Sequence, residues 1–391
     1  RDTDRSRGLG DVYKRQLHSC QSRNKKEDVL FSMENITRAN LQTITVEVED
    51  FNFEDLGNFL EVTSYIQLTA EPLLASIQEI QIKNEKIYIH DKFARIICYD
   101  MQGKMIFKID AKGAGPGEYT DVNTFVINEQ SRELIIYDNH KQSLLFYNAD
   151  NGIFFKTQKL VKPDPTAMAS LGGVYYYDNR YHSNYPNDTD LYYSLLVSKN
   201  AMTMDRHYFP HNDAESSYRF RPTRQPFSYN DSVLYYCRNF DNVIYELNPD
   251  SLKALYKIML PDPLPFSKIE NKINGWELVK SKYSLGLESI YKCNNLLYFQ
   301  FSKDGFLQSA LYDLIQEKQI YCGKRLTDKV GKSVPIFQLI DGVYKGQFWG
   351  VLTPETIGYA LSKEPKDYPD IFRKYDPDTD NPIIAFYKVV Q

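Results

Sequence analysis

Three arginines are the residues in this chain best suited to gripping a ligand. Arg219, Arg221 and Arg224 alternate with Tyr218 and Phe220 just ahead of the apolar run Ser232–Cys237. Guanidinium forks hold carboxylates and sulfates bidentately, so this segment suits an anionic ligand at a binding mouth. The competing reading is a solvated loop whose arginines lie along aromatic faces. His207 and His211 are four apart, a spacing that would pair them on one face of a helix for a metal. Pro210 stands between them, however, and Thr203 to Phe209 reads as strand. The Gly113-Ala114-Gly115-Pro116-Gly117 loop has the composition of a phosphate cradle. Such a cradle needs a helix N-terminus behind it and a Lys followed by Ser or Thr. Here Thr124-Phe125-Val126-Ile127 follows as a strand, so the loop is a structural turn with Glu118 taking up backbone donors. Tyr175-Tyr176-Tyr177 and Tyr192-Tyr193 are either stacking platforms for sugars or plain strand residues. Neither H-E-x-x-H nor G-x-S-x-G occurs. No catalytic residue and no metal ligand is assigned, and no spacing supports a Ca or Zn cofactor.

The first sixteen residues stand apart. Asp11-Val12-Tyr13-Lys14-Arg15-Gln16 is what GAT GTG TAT AAG AGA CAG encodes, a transposon-end sequencing adaptor read through as protein. Residues 1–16 are therefore set aside. Leu17-His18-Ser19-Cys20 follows, and a Leu three residues before a Cys resembles the lipobox of bacterial lipoproteins, in which the thiol carries a diacylglyceryl group. Cys20 is the expected lipidation site, with residues 17–40 a lipobox remnant and linker.

Composition narrows the classes. The 391 residues include 31 Tyr and 22 Phe, types that favour pleated, half-buried surfaces, and 42% of residues are hydrophobic. The net charge of −4 comes from well-mixed signs, with no basic block for nucleic acid. No apolar run reaches the ~18 residues of a membrane helix, so membrane contact is expected only through a lipid anchor. Besides Cys20 the cysteines are Cys98, Cys237, Cys293 and Cys322, with no C-x-x-C pair among them. They read as small buried hydrophobes, although an oxidising compartment would allow one disulfide.

The elements that must position these residues repeat along the chain. Ile87-Tyr88-Ile89-His90-Asp91, Arg95 to Asp100, Gln102-Gly103 and Met105 to Ile109 return as Leu134 to Asp138, Ser143 to Asn148, Asn151-Gly152 and Ile153 to Phe155. Tyr99 and Tyr147 stand 48 residues apart, and steps of about 49 reach Leu196 and then Tyr245. Short alternating strands at that period fit four-stranded propeller blades. About twenty residues are inserted before Leu311-Tyr312-Asp313, around Pro261 to Pro265 and Asn274-Gly275-Trp276. A last unit combines Phe337 to Ile340, Gln347 to Val351 and Ile383 to Val389, with a helix from Pro354 to Tyr375 capped by Thr353. The count is about six blades: an all-β, six-bladed propeller over residues 41–391. An open ring would leave unpaired strand edges. One of two N-terminal strands, Thr43 to Val48 or Tyr65 to Leu68, is therefore expected to complete the final blade beside the C-terminal strand.

Three motifs carry a family resemblance. Gly113-Ala114-Gly115-Pro116-Gly117-Glu118-Tyr119, Phe240-Asp241-Asn242-Val243-Ile244-Tyr245-Glu246-Leu247 and Asp380-Asn381-Pro382-Ile383-Ile384 are similar to motifs of the six-bladed propeller lipoproteins of gut Bacteroidota. Asp138-Asn139-His140-Lys141 resembles the turn of NHL-type propellers, with Lys where that pattern has Arg at its end. The resemblance runs from about Tyr65 to the C-terminus. It implies an NHL- or TolB-like propeller on a lipid anchor in the cell envelope, periplasmic or surface-exposed, and no settled activity. The expected function is a binding or scaffold protein with a glycan, peptide or envelope-protein ligand at the channel mouth. The alternative is an NHL-type metal-dependent hydrolase or lyase.

Overall fold

The structure is a computed structural model. It describes residues 36–48, 60–160, 163–179, 193–210, 223–230, 232–238, 240–270, 275–324, 327–328, 336–337, 340–362 and 369–390. At the start of the chain lie β1 (Ile36–Thr37), β2 (Gln42–Thr45) and β3 (Leu60–Gln67). Six four-stranded antiparallel blades then form a propeller. Blade 1 is β4 (Ile77–Lys83), β5 (Lys86–Asp91), β6 (Ile96–Asp100) and β7 (Met105–Ile109); blade 2 is β8 (Thr124–Asn128), β9 (Glu133–Asp138), β10 (Ser143–Asn148) and β11 (Phe154–Lys159). Blade 3 is β12 (Ala167–Leu171), β13 (Val174–Asp178), β14 (Tyr193–Ser198) and β15 (Arg206–Pro210); blade 4 is β16 (Phe227–Asn230), β17 (Val233–Cys237), β18 (Val243–Asn248) and β19 (Ser251–Met259). After helices α1 (Phe266–Glu270) and α2 (Gly275–Val279), blade 5 is β20 (Leu287–Cys293), β21 (Leu296–Lys303), β22 (Phe306–Asp313) and β23 (Lys318–Gly323). The short pair β24 (Thr327–Asp328) and β25 (Ile336–Phe337) leads to blade 6, which joins β26 (Gly342–Tyr344), β27 (Gln347–Leu352) and β28 (Ile383–Val389) to β3. Helices α3 (Pro354–Leu361) and α4 (Asp370–Arg373) lie between β27 and β28.

The strand patterns follow from each blade being packed between two others. The second and third strands have both faces covered, and β9 and β10 are apolar almost throughout. Outer strands such as β7 alternate, with one face to water. Tyrosine fills the gaps between blades because it combines a large apolar ring with a hydroxyl that can reach a carbonyl. Tyr88 donates to the Ala149 carbonyl at 2.9 Å, Tyr147 to Gly117 at 2.7 Å and Tyr177 to Ala201 at 2.8 Å. Tyr175, Tyr176, Tyr177 and Tyr193 are all buried in strands, and Tyr192 lies outside the described residues. Cys98, Cys237, Cys293 and Cys322 are buried as well.

The ring closes through β3, which runs antiparallel to β28 with Ile66 opposite Ile384 and Val62 opposite Tyr387. The stretch Tyr65 to Leu68 is thus the clasp. The other N-terminal strand goes elsewhere: β2 lies parallel to β19 on the outer edge of blade 4, and Ile44 is fully buried opposite Ile258. Blade 6 already has its fourth strand, whereas β19 offers an unpaired edge. Two further expectations need correction. The first strand of blade 6 is Gly342–Tyr344, and Ile336–Phe337 pairs with Thr327–Asp328 instead. Of the helix expected from Pro354 to Tyr375, the described residues show α3 ending at Leu361 with Ser362 as its C-cap, and a separate short α4 with Pro369 at its N-cap, where the missing amide hydrogen costs nothing. Thr353 does cap α3, its Oγ1 accepting from Thr356 N at 3.3 Å.

Antiparallel order sends alternate connections to opposite faces. Turns between first and second strands, and between third and fourth, span at most the seven residues 199–205. The other face receives the blade-to-blade crossings and the second-to-third-strand connections, among whose described residues are 223–226, 260–270, 275–286, 353–362 and 369–382. One face is therefore built of short turns and the other of long segments, the usual place for binding residues.

Candidate binding channel

The first and third family-like motifs prove to be clamps at blade junctions, and the second holds a turn within blade 4. In the Gly113–Tyr119 turn, the Glu118 carboxylate accepts from Gly115 N at 2.6 Å, and a Cβ on Gly113 would collide with it. Tyr119 donates to the Ala94 carbonyl at 2.7 Å, and the Lys141 ammonium bonds the carbonyls of Gly113 and Glu118 at 2.9 and 2.8 Å. The G-x-G-P-G-E-Y turn and the Asp138–Lys141 turn therefore brace each other. Asp91 and Asp138, each at the end of its blade's second strand, are fully buried. Asp91 accepts from Ala75 N on the incoming crossing at 3.2 Å and Asp138 from Thr120 N at 2.6 Å, so each ties that crossing to its own blade. In the second motif, Asp241 accepts from the Tyr245 hydroxyl at 2.9 Å. Asn381 of the third donates to the carbonyls of Thr69 and Pro72 at 2.6 and 2.9 Å and accepts from Leu74 N at 2.7 Å.

These clamps surround an axial channel of about 350 Å³, lined by all six blades. Small-molecule pockets are typically about 300–1,000 Å³. At its short-turn end, side chains from opposite sides of the ring meet. The Lys83 ammonium at the end of β4 lies 3.3 Å from the centre of the Tyr229 ring on β16 and pairs with Glu129 at 3.3 Å. The Tyr229 hydroxyl accepts from Ser170 N of blade 3 at 2.8 Å. At mid-depth Glu79 accepts from Gln81 Nε2 at 2.8 Å and Thr124 Oγ1 at 3.1 Å. Burial pushes its carboxyl up to about 7, against the pull of its bonds from Gln81, the Phe125 amide and Thr124. Asp341 lies just before β26, where Val351 N donates to it at 2.8 Å. Burial pushes this carboxyl up to about 7 also, opposed only by that one backbone bond. At the long-loop mouth are Asp121, Asn139, His140, Arg224 and His90, the last held below its usual range by burial despite Asp121 and Asp91.

Arg224 is the one arginine of the predicted trio within the described residues; Arg219, Arg221 and His211 lie outside them. It lines the channel mouth, and its Nε is 2.9 Å from the buried Glu288 carboxylate. Burial raises the Glu288 carboxyl, against its bonds from Ser302 and the charge of Arg224. His207 is on the edge strand β15, packed 5.1 Å from the Tyr193 ring, with its pKa lowered by burial. Among the described residues no three His, Cys, Asp or Glu side chains come together to hold a metal ion. Sequence reasoning missed Glu79, Asp121 and Asp341. The i, i+2, i+4 run of Glu79, Gln81 and Lys83, polar groups on one face of an inner strand, was the available signal.

Among solved structures the chain is similar to a Bacteroides fragilis protein described as exported, at 17% identity and a TM-score of 0.72, covering 90% of this chain and 100% of that one. It is also similar to a member of the DUF4221 family from Bacteroides vulgatus, at 12% identity and a TM-score of 0.49, covering 86% and 99% of the two chains. At 17% identity the likeness to the Bacteroides fragilis protein concerns the fold. No curated protein matches. Residues 41–388 match the family described as Domain of unknown function (DUF4934), so the chain belongs to that family.

Proposed function

We propose that this protein is an exported binding protein, lipid-anchored through Cys20, that holds a glycan, peptide or envelope-protein ligand at the long-loop mouth of its channel. One observation carries the reading: the channel is lined by all six blades and opens among the long connections, while Lys83 and Tyr229 meet across its other end. The described export of the Bacteroides fragilis protein supports placement in the envelope. The resemblance of Asp138–Lys141 to an NHL turn supports an NHL- or TolB-like ancestry. Arg224 at the mouth, with Arg219 and Arg221 a few residues before it, stays a candidate contact for an anionic group.

A thermal-shift screen of residues 21–391 against anionic and neutral glycans, peptides, divalent metals and EDTA tests this. A ligand at about 100 times its Kd stabilises by about 2.7 kcal/mol. A shift from a glycan or peptide, lost on mutating channel-mouth residues, is the expected result. A melting point lowered by EDTA and restored by Ca or Zn would move the reading to a metal-dependent hydrolase or lyase. Incorporation of labelled palmitate by the full-length precursor, abolished by Cys20→Ser, is expected for the anchor.

A further inference from the structure

Two parallel strand pairings fix the side from which the chain enters the ring. The fourth strand of each blade starts at the short-turn face, so β19 runs from Ser251 there to Met259 at the long-loop face. Strand β1 lies parallel to its beginning, with Ile36 opposite Leu252, and β2 parallel to its end, with Thr45 opposite Met259. The chain therefore reaches Ile36 at the short-turn face, on the outer edge of blade 4, and climbs from there toward the long-loop face. Cys20 and Ile36 are sixteen positions apart. Whatever the conformation between them, sixteen Cα steps cover at most about 55 Å. The nine residues of β19 make the outer edge of blade 4 about 30 Å tall. A lipid anchor at Cys20 reaches a bilayer under the short-turn face directly. Reaching one beyond the long-loop face would spend more than half of the full extension on running back along the blade.

The surfaces of the two faces differ in the same sense. Among the described residues six aromatic side chains are strongly exposed, and five of them stand on the long-loop face: Phe93, Phe266, Trp276, Phe306 and Tyr359. The sixth, Phe155, is on the outer strand of blade 2. Recognition surfaces are rich in aromatic side chains. On the short-turn face the exposed large hydrophobics are aliphatic, Ile153 and Ile315 at the third-to-fourth-strand turns of blades 2 and 5. Charges on that face are matched from blade to blade. Lys86 pairs with Asp150, Lys83 with Glu129 at 3.3 Å, Lys345 with Glu85 at 2.6 Å and Arg206 with Asp250 at 2.6 Å. Matched charges cast little field of either sign, so these turns can lie against charged headgroups without strong repulsion.

We propose that the short-turn face lies against the lipid bilayer that holds the Cys20 acyl chains, so that the long-loop mouth of the channel points away from the membrane, toward a ligand in the aqueous space. This rests on the lipid anchor proposed above and adds its orientation. The test uses the lipidated protein in phosphatidylethanolamine–phosphatidylglycerol vesicles that carry an energy-transfer acceptor on a lipid headgroup. A donor dye is attached at Ile315→Cys or at Phe93→Cys, exposed sites on the short-turn and long-loop faces. Cys98, Cys237, Cys293 and Cys322 are buried and Cys20 carries the lipid, so the new thiol takes the dye. Transfer from position 315 is expected to exceed that from position 93 by about twofold or more, because about 30 Å separates the faces. Ile153→Cys and Phe306→Cys repeat the comparison at independent exposed positions. Stronger transfer from 93 and 306 would seat the exposed aromatics in the headgroup layer, where Trp and Tyr gather, and overturn the inference. Equal transfer from both faces, the mark of a protein turning freely on its tether, would overturn it as well. In either case the protein stays on the vesicles and the anchor stands. A protein that takes up no labelled palmitate and leaves the vesicles in flotation would remove the anchor and the orientation together.

Discussion

Glu79 shows how position converts an ordinary residue into a site. On an exposed strand its carboxyl would ionise near 4.5; on the channel wall burial lifts it to about 7. A carboxyl with a raised folded-state pKa binds more protons folded than unfolded, so it stabilises the fold at low pH and that stability is lost as pH rises from about 4.5 through 7. Glu79→Gln should therefore stabilise the fold at pH 8 by on the order of 1–3 kcal/mol, seen as a raised melting point, and change it little at pH 5. A pair of thermal melts at those two pH values checks the sign. Arg224 behaves in the opposite sense, since its partner Glu288 is 3% exposed and its removal strands a buried carboxylate. Because the arginine itself is largely exposed, Arg224→Ala should cost only about 1 kcal/mol, read by urea unfolding at pH 7.5.

At the scale of elements, the ends of the chain matter most. Strand β3 supplies the whole outer edge of blade 6, and Asn381 fastens the crossing from that blade into blade 1. Asn381→Ala leaves the amide of Leu74 and the carbonyls of Thr69 and Pro72 without their partner, and should destabilise by about 2–4 kcal/mol in chemical denaturation. Strand β2 is less critical, because blade 4 is complete without it. A chain beginning at residue 49 should fold with a lowered melting point. A chain beginning at residue 70 should lose cooperative unfolding altogether, as followed by circular dichroism.

On the scale of the whole molecule, the propeller separates stability from recognition. Clamps such as Glu118, Lys141, Asp91 and Asn381 are spent on blade junctions, and the axis is left as a channel lined by all six blades.

Much of the architecture is legible in the chain itself because it is local. The Tyr99–Tyr147 spacing reports the blade period, Asp91 and Asp138 mark the ends of second strands, and Gly113–Tyr119 reads as a turn because Thr124 to Ile127 cannot be a helix. The site was legible only in part. Arg224 is at the channel mouth, yet its partner Glu288 lies 64 positions along and one blade away, and no spacing announces that pair. The same holds for the choice between Thr43 to Val48 and Tyr65 to Leu68 as the clasp: both alternate, and only the competition for a free edge decides between them. Periodicity and turn chemistry act over a few residues, so the sequence by itself determined the repeat, the strands and the fold class. Which carboxylates share a cavity depends on closing the ring, which sets Glu79 and Asp341 beside one cleft although 262 positions separate them. Burial and the company each carboxylate keeps belong to that closed ring, and only the tertiary structure decided them.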